Sequence, residues 1–151
     1  MDKRLKVLFL CTGNSCRSQM AEGWTRHLKS EQIEVFSAGI ETHGLNPNAV
    51  RVMAEAGVDI SKHKSKLVDE FRNAELDYVI TVCGHAHETC PAFTGKCRII
   101  HAGFDDPPLL ARQLSAKGAD EVAQLECYRI VRDEIKKFIE TLPEMLTEKR
   151  P

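Results

Sequence analysis

Residues 5–10 are mostly apolar, and the run stops abruptly at a small, polar stretch. So short a run reads as a buried strand. Over residues 18–30 the side chains Met20, Trp24 and Leu28 recur at every fourth position, one face of a helix that Ser18 can cap. Residues 33–37 read as a second strand. After Gly39 and the turn Gly44-Leu45-Asn46-Pro47, Pro47 suits the first turn of a helix bearing Ala49, Val50, Val52, Met53 and Ala56, and Gly57 suits its end. Residues 65–72 read as a short helix, 76–82 as a third strand apolar enough for mid-sheet, and 98–101 as a fourth. Residues 109–117 show no decisive period. Residues 120–142 form a long amphipathic pattern with Val122, Leu125, Tyr128, Val131, Ile135, Phe138 and Leu142 on one stripe. Pro143 stops it, and residues 147–151 read as a solvated tail.

Strands alternating with helices predict an α/β fold on a parallel sheet with right-handed crossovers. Ligands of such sheets sit at the carboxyl ends of the strands. The 151 residues suit one domain, 1–151, with a full-sized core. A net charge of −1 offers no overall field to recruit nucleic acid or an anionic membrane, so any anion binding is local. The short apolar run behind residues 1–4 is neither a signal peptide nor a membrane span, which predicts a soluble, cytoplasmic protein. In that compartment six cysteines point to catalysis, metal binding or redox exchange rather than a static disulfide framework.

The chemistry concentrates where the first strand breaks, at Cys11-Thr12-Gly13-Asn14-Ser15-Cys16-Arg17-Ser18. Strand, tight loop and helix N-terminus together make an anion cradle, because backbone N–H groups and the helix dipole converge on one point. Arg17 adds a planar charged fork for two oxygens of a tetrahedral oxyanion. Cys11 lies at the bottom of that positive bowl, where a thiolate is favoured and faces its target.

The stretch resembles the phosphate-binding loop of low-molecular-weight protein tyrosine phosphatases. With Gln19-Met20-Ala21-Glu22-Gly23 it resembles still more the thioredoxin-coupled arsenate reductases built on the same fold. Ser37-Ala38-Gly39-Ile40-Glu41, Gly44-Leu45-Asn46-Pro47-Asn48 and Gly103-Phe104-Asp105-Asp106-Pro107 extend the likeness along the chain. The resemblance implies a three-layer α/β sandwich, a central four-stranded parallel sheet flanked by helices. It implies substrate binding by residues 12–18, with Asn14 bracing the loop and the Ser18 hydroxyl donating to the Cys11 sulfur. It also implies Asp106 as general acid, arsenate as substrate with phosphate and sulfate competing, no bound cofactor or metal, and thioredoxin as external reductant of a monomer.

Cys83 and Cys90 follow the third strand in Cys83-Gly84-His85-Ala86-His87-Glu88-Thr89-Cys90. On the residues alone they are two unrelated loop thiols, metal ligands together with His85 and His87, or a redox pair. The resemblance favours the redox pair: Cys83 attacks the Cys11 adduct, and Cys90 then displaces Cys11. If the segment is helical, a rise of ~1.5 Å per residue sets the two Cα atoms roughly 10 Å apart, beyond the ~7 Å that a disulfide tolerates. Residues 83–97 then rearrange on oxidation, with Gly84 as a hinge. Cys16 and Cys97 read as spectators, Cys127 as structural, and His43, His63 and His101 as hydrogen-bonded loop residues. In some members of the reductase family a potassium ion is held by residues matching Asn14, Glu22 and Ser37 plus an aspartate. Lys66 stands at the aspartate's position here, and its ammonium can replace the ion. A phosphatase is the alternative enzyme, although that family places aromatic residues after Asp-Pro and Pro108-Leu109-Leu110 stand there instead. A non-catalytic oxyanion or metal sensor fits less well, with no DNA-reading helix or basic patch in view.

Overall fold

The computed structural model describes residues 4–93 and 95–148. Strands β1 (Leu5–Cys11), β2 (Ile33–Gly39), β3 (Tyr78–Thr81) and β4 (Arg98–His101) form a parallel sheet in the order β2-β1-β3-β4. Successive side chains of a strand point to opposite faces. Val7, Leu8, Phe9 and Leu10 are all fully buried, so both faces of the sheet are covered. This is the four-stranded, helix-flanked architecture that the sequence implied.

Helices α1 (Arg17–Leu28), α2 (Pro47–Glu55), α3 (Gly84–Glu88) and α4 (Pro107–Ala116) follow the four strands in turn. The long α5 (Glu121–Glu140) and short α6 (Glu144–Glu148) close the chain. Helix α5 packs against α1, α2 and α4. Trp24 Nε1 on α1 donates to the Arg132 carbonyl at 3.1 Å, and Arg132 Nη1 donates to the Val52 carbonyl of α2 at 2.9 Å. The register pairs Cys11 with Gly39 and Leu10 with Thr81, so the carboxyl ends of β1, β2 and β3 finish at one edge.

Several elements depart from the sequence reading for identifiable reasons. Leu28 is 37% exposed, because side chains four apart drift by about 40° per step and it has rotated away from Met20. Val122 is 68% exposed; at ~100° per residue it lies roughly 120° around α5 from the stripe of Leu125, Tyr128, Val131, Ile135 and Ile139. The helix expected over residues 65–72 shrinks to a 3-10 turn, Val68–Phe71. Residues before it are held extended, with the Lys66 carbonyl accepting from Gly39 N–H and Leu67 bridging Gly39. The tail expected from residue 147 is helical as far as Glu148, behind a buried Leu146. Its last residues, 149–151, lie outside the described residues.

Candidate active site

Strand β1 delivers Cys11 to the sheet edge, and residues 12–16 curl over it into α1. Two close approaches shape the curl. A Cβ on Gly39 would collide with the Asn14 and Glu41 backbones, and one on Gly13 would fall on the His43 ring. Asn14 takes φ +48°, a left-handed conformation that asparagine tolerates better than most residues. It is fully buried, and its side chain braces the loop from behind. Nδ2 donates to Ser18 Oγ at 2.8 Å and to Ser37 Oγ at 2.9 Å, while Oδ1 accepts from Lys66 N–H at 2.8 Å and Gln19 Nε2 at 3.0 Å.

This web sets Ser18 against the nucleophile. Ser18 Oγ lies 2.8 Å from Cys11 Sγ and accepts from Asn14, which leaves its own hydrogen free to point at the sulfur. Ser18 therefore does not cap α1: Cys16 holds the N-cap position without a side-chain bond, and the hydroxyl one step inside the helix serves the sulfur instead. The Cys16 thiol is driven far up, chiefly by burial and next by the Cys11 charge, and so stays protonated.

Behind the brace lies the buried Glu22 carboxylate, with cations reaching it from the surface. Ser37 Oγ donates to Glu22 Oε1 at 2.6 Å, and Arg26 Nη2 donates to Glu22 Oε2 at 2.7 Å. The Lys66 ammonium stands 3.8 Å from Glu22 Oε1 and donates to the Lys64 carbonyl at 2.8 Å. A cation thus sits beside the Glu22 carboxylate, supplied by the chain itself. His63 Nδ1 meets Gln19 Oε1 at 3.0 Å, and burial holds its imidazole below the ordinary value.

A cavity of about 440 Å³ opens above the loop. Thr12, Gly13, Ser15, Cys16 and Arg17 line its floor together with Cys11, and Asp106 stands on its wall. Asn14 and Ser18 support the floor from below. Arg17 Nη1 donates to the Phe104 carbonyl at 3.1 Å, and Nη2 faces Asp106 Oδ2 at 3.9 Å. Asp106 occupies the N-cap position of α4 without bonding its amides, which leaves the carboxyl to the cavity. His43, Asn46, Pro108 and Arg112 complete the wall. The sequence reading did not place these four there; the signal available was Pro108 and Arg112, one helical turn apart behind the Asp-Pro step.

Cys83 and Cys90 lie off the cavity lining. Cys83 is buried at the N-cap of α3, where its sulfur accepts from Ala86 N–H at 3.4 Å and stands 3.4 Å from Thr12 Oγ1. It therefore touches the residue that follows Cys11. Cys90 is half-buried beyond the other end of α3, and burial pushes its thiol up. All six cysteines are free thiols. His87 does not turn toward Cys83: its Nδ1 bonds Thr81 Oγ1 at 3.0 Å, beside His101 Nδ1 at 2.9 Å on the same hydroxyl. Among the described residues no group of three or more His, Cys, Asp or Glu side chains has the arrangement to hold a metal ion.

Residues 6–151 match the family described as low molecular weight phosphotyrosine protein phosphatase. An arsenate reductase of Halalkalibacterium halodurans is 48% identical over 144 residues, covering 95% of this chain and 98% of that protein. A solved arsenate reductase in its phosphate-binding state superposes with a TM-score of 0.72 at 34% identity, over 91% of this chain and 95% of the other. An arsenate reductase solved in an oxidised state gives 0.73 at 32% identity, over 94% and 96%.

Proposed function

The chain belongs to the low molecular weight phosphotyrosine protein phosphatase family, alongside its arsenate reductases, and we propose that it reduces arsenate to arsenite through a relay of Cys11, Cys83 and Cys90. Loop amides of residues 12–18 and the Arg17 guanidinium bind the tetrahedral oxyanion over the Cys11 sulfur. The Cys11 thiolate attacks arsenic. An arsenic-bound oxygen departs as water with a proton from Asp106. Cys83 then attacks Cys11 Sγ: the sulfur–arsenic bond breaks, its electron pair stays on arsenic, and arsenite leaves behind a Cys11–Cys83 disulfide. The two electrons gained by arsenic are those lost by the two thiolates. Cys90 displaces Cys11, and the Cys83–Cys90 disulfide is reduced by thioredoxin.

The observation that carries this reading is the position of Cys83 Sγ, 3.4 Å from the hydroxyl of the residue next to the nucleophile. A hydrolytic phosphatase has no use for a second sulfur there. Phosphate and sulfate compete for the same cradle, and slow phosphomonoester hydrolysis is a side reaction of it. No helix among the described residues is long and apolar enough to cross a membrane, and we place the enzyme in the cytoplasm as a monomer.

The test is arsenite release with purified thioredoxin, thioredoxin reductase and NADPH. Cys11→Ser abolishes it at the first turnover. Cys83→Ser and Cys90→Ser abolish sustained turnover; undiminished cycling without either sulfur rejects the relay.

A further inference from the structure

The floor of the cavity accounts for an oxyanion, but its volume goes further. About 440 Å³ holds on the order of fifteen water molecules at ~30 Å³ each, far more than one tetrahedral ion displaces. The remaining space lies at the mouth, walled by the exposed side chains of His43 and Arg112 with half-buried Asn46 and Pro108.

The charges around this mouth are unequal in what they have left to offer. Arg17 is the deeper of the two arginines; it gives one arm to the Phe104 carbonyl and faces the Asp106 carboxylate at 3.9 Å. His43 has Nε2 on the Glu41 carboxylate at 2.7 Å. Arg112 has no hydrogen-bond or carboxylate partner among the described residues, yet its side chain borders the cavity. It stands on α4, a helix begun by the paired prolines 107 and 108 and anchored by buried Ala111. Seen from solvent, Arg17 and Asp106 largely offset each other, and the positive field at the entrance belongs to Arg112.

We propose that Arg112 is the capture residue of this site, a group at the mouth that draws in the dianionic oxyanion and continues to favour it by its charge once the loop amides and Arg17 hold it. Its planar fork can bind two oxygens at once. The assignment rests on the reading of the cavity as an oxyanion site.

Inorganic phosphate, titrated calorimetrically into the full chain at low and at high salt, tests it without any turnover. Arg112→Gln is expected to bind phosphate roughly two- to fivefold more weakly at low salt, the scale of one exposed ion pair. Its affinity is expected to fall less steeply with salt than that of the unaltered protein, and Arg112→Lys to recover part of the loss. The KM for arsenate rises in the same proportion. Equal affinity and equal salt slope in Arg112→Gln overturn the proposal. So does weaker binding with an unchanged slope and no recovery by lysine, which marks a structural part in α4. If the unaltered protein binds phosphate in this Arg112-dependent way but releases no arsenite with thioredoxin, the reductase reading fails and the capture residue stands. If arsenite is released and Arg112→Gln changes neither affinity nor slope, the reverse holds.

Discussion

Ser18 shows how one hydroxyl is given a single task by its neighbours. Asn14 donates to it, and its other partner is the Cys11 sulfur at 2.8 Å, to which its hydrogen can be given. Ser18→Ala removes a hydrogen bond to a charged atom, worth about 1.5–3 kcal/mol, and slows the first turnover by at least about tenfold in a rapid-quench measurement. Asn14→Ala leaves buried partners unpaired on both sides of the loop and lowers stability by about 2–4 kcal/mol in urea unfolding. His63 predicts a pH dependence. Burial holds its folded value below the ordinary 6.5, so the unfolded chain takes up that proton first. Stability is fully present above about pH 6.5 and falls as the pH drops toward the lowered folded value. His63→Gln is expected to flatten that acid-side slope in urea midpoints measured at several pH values. Lys66 holds its ammonium 3.8 Å from Glu22, one of the residues that the family resemblance assigns to a potassium site, and we expect it to stand in for the ion. Arsenate reduction therefore runs at the same rate in potassium and in sodium chloride, and a large activation by potassium contradicts the substitution.

Among the elements, β1 and α1 were legible because their apolar residues have no alternative to burial on a covered strand and a helix packed between layers. Helix α4 was not. Its sequence Leu109-Leu110-Ala111 puts exposed, half-buried and buried positions side by side, and contiguous apolar residues carry no 3.6-residue period. The polar stretch after Cys83 was legible as functional but not as a five-residue helix, since nothing in its composition announces a sulfur cap. That cap has a consequence. Ala86 N–H depends on Cys83 Sγ, and Cys90 lies past the opposite end of α3. A disulfide between the two sulfurs takes Cys83 Sγ away from the Ala86 N–H, so we expect oxidation to unwind α3. Hydrogen exchange at residues 84–88 is expected to accelerate after one equivalent of arsenate in the absence of reductant. Identical exchange in both redox states removes the idea.

For the whole molecule, the floor of the site was readable because it is contiguous in sequence, running from Cys11 to Ser18 at the end of a central strand. The walls were not: His43 and Asn46 come from the loop before α2 and Pro108 and Arg112 from α4, and only tertiary packing brings them to one rim. That packing is concentrated in the sheet, where Phe9 is fully buried; Phe9→Ala is expected to cost about 3–5 kcal/mol of unfolding free energy. The site and the core thus share one strand, which leaves little freedom to soften the first without loosening the second. Cys83 is the exception, since it holds a helix together only until it is called on to react. Spent and ready molecules then differ in shape as well as in redox state. An electron donor that grips only the frayed form would pass over enzyme still awaiting arsenate and direct its reducing power to the copies in need of it.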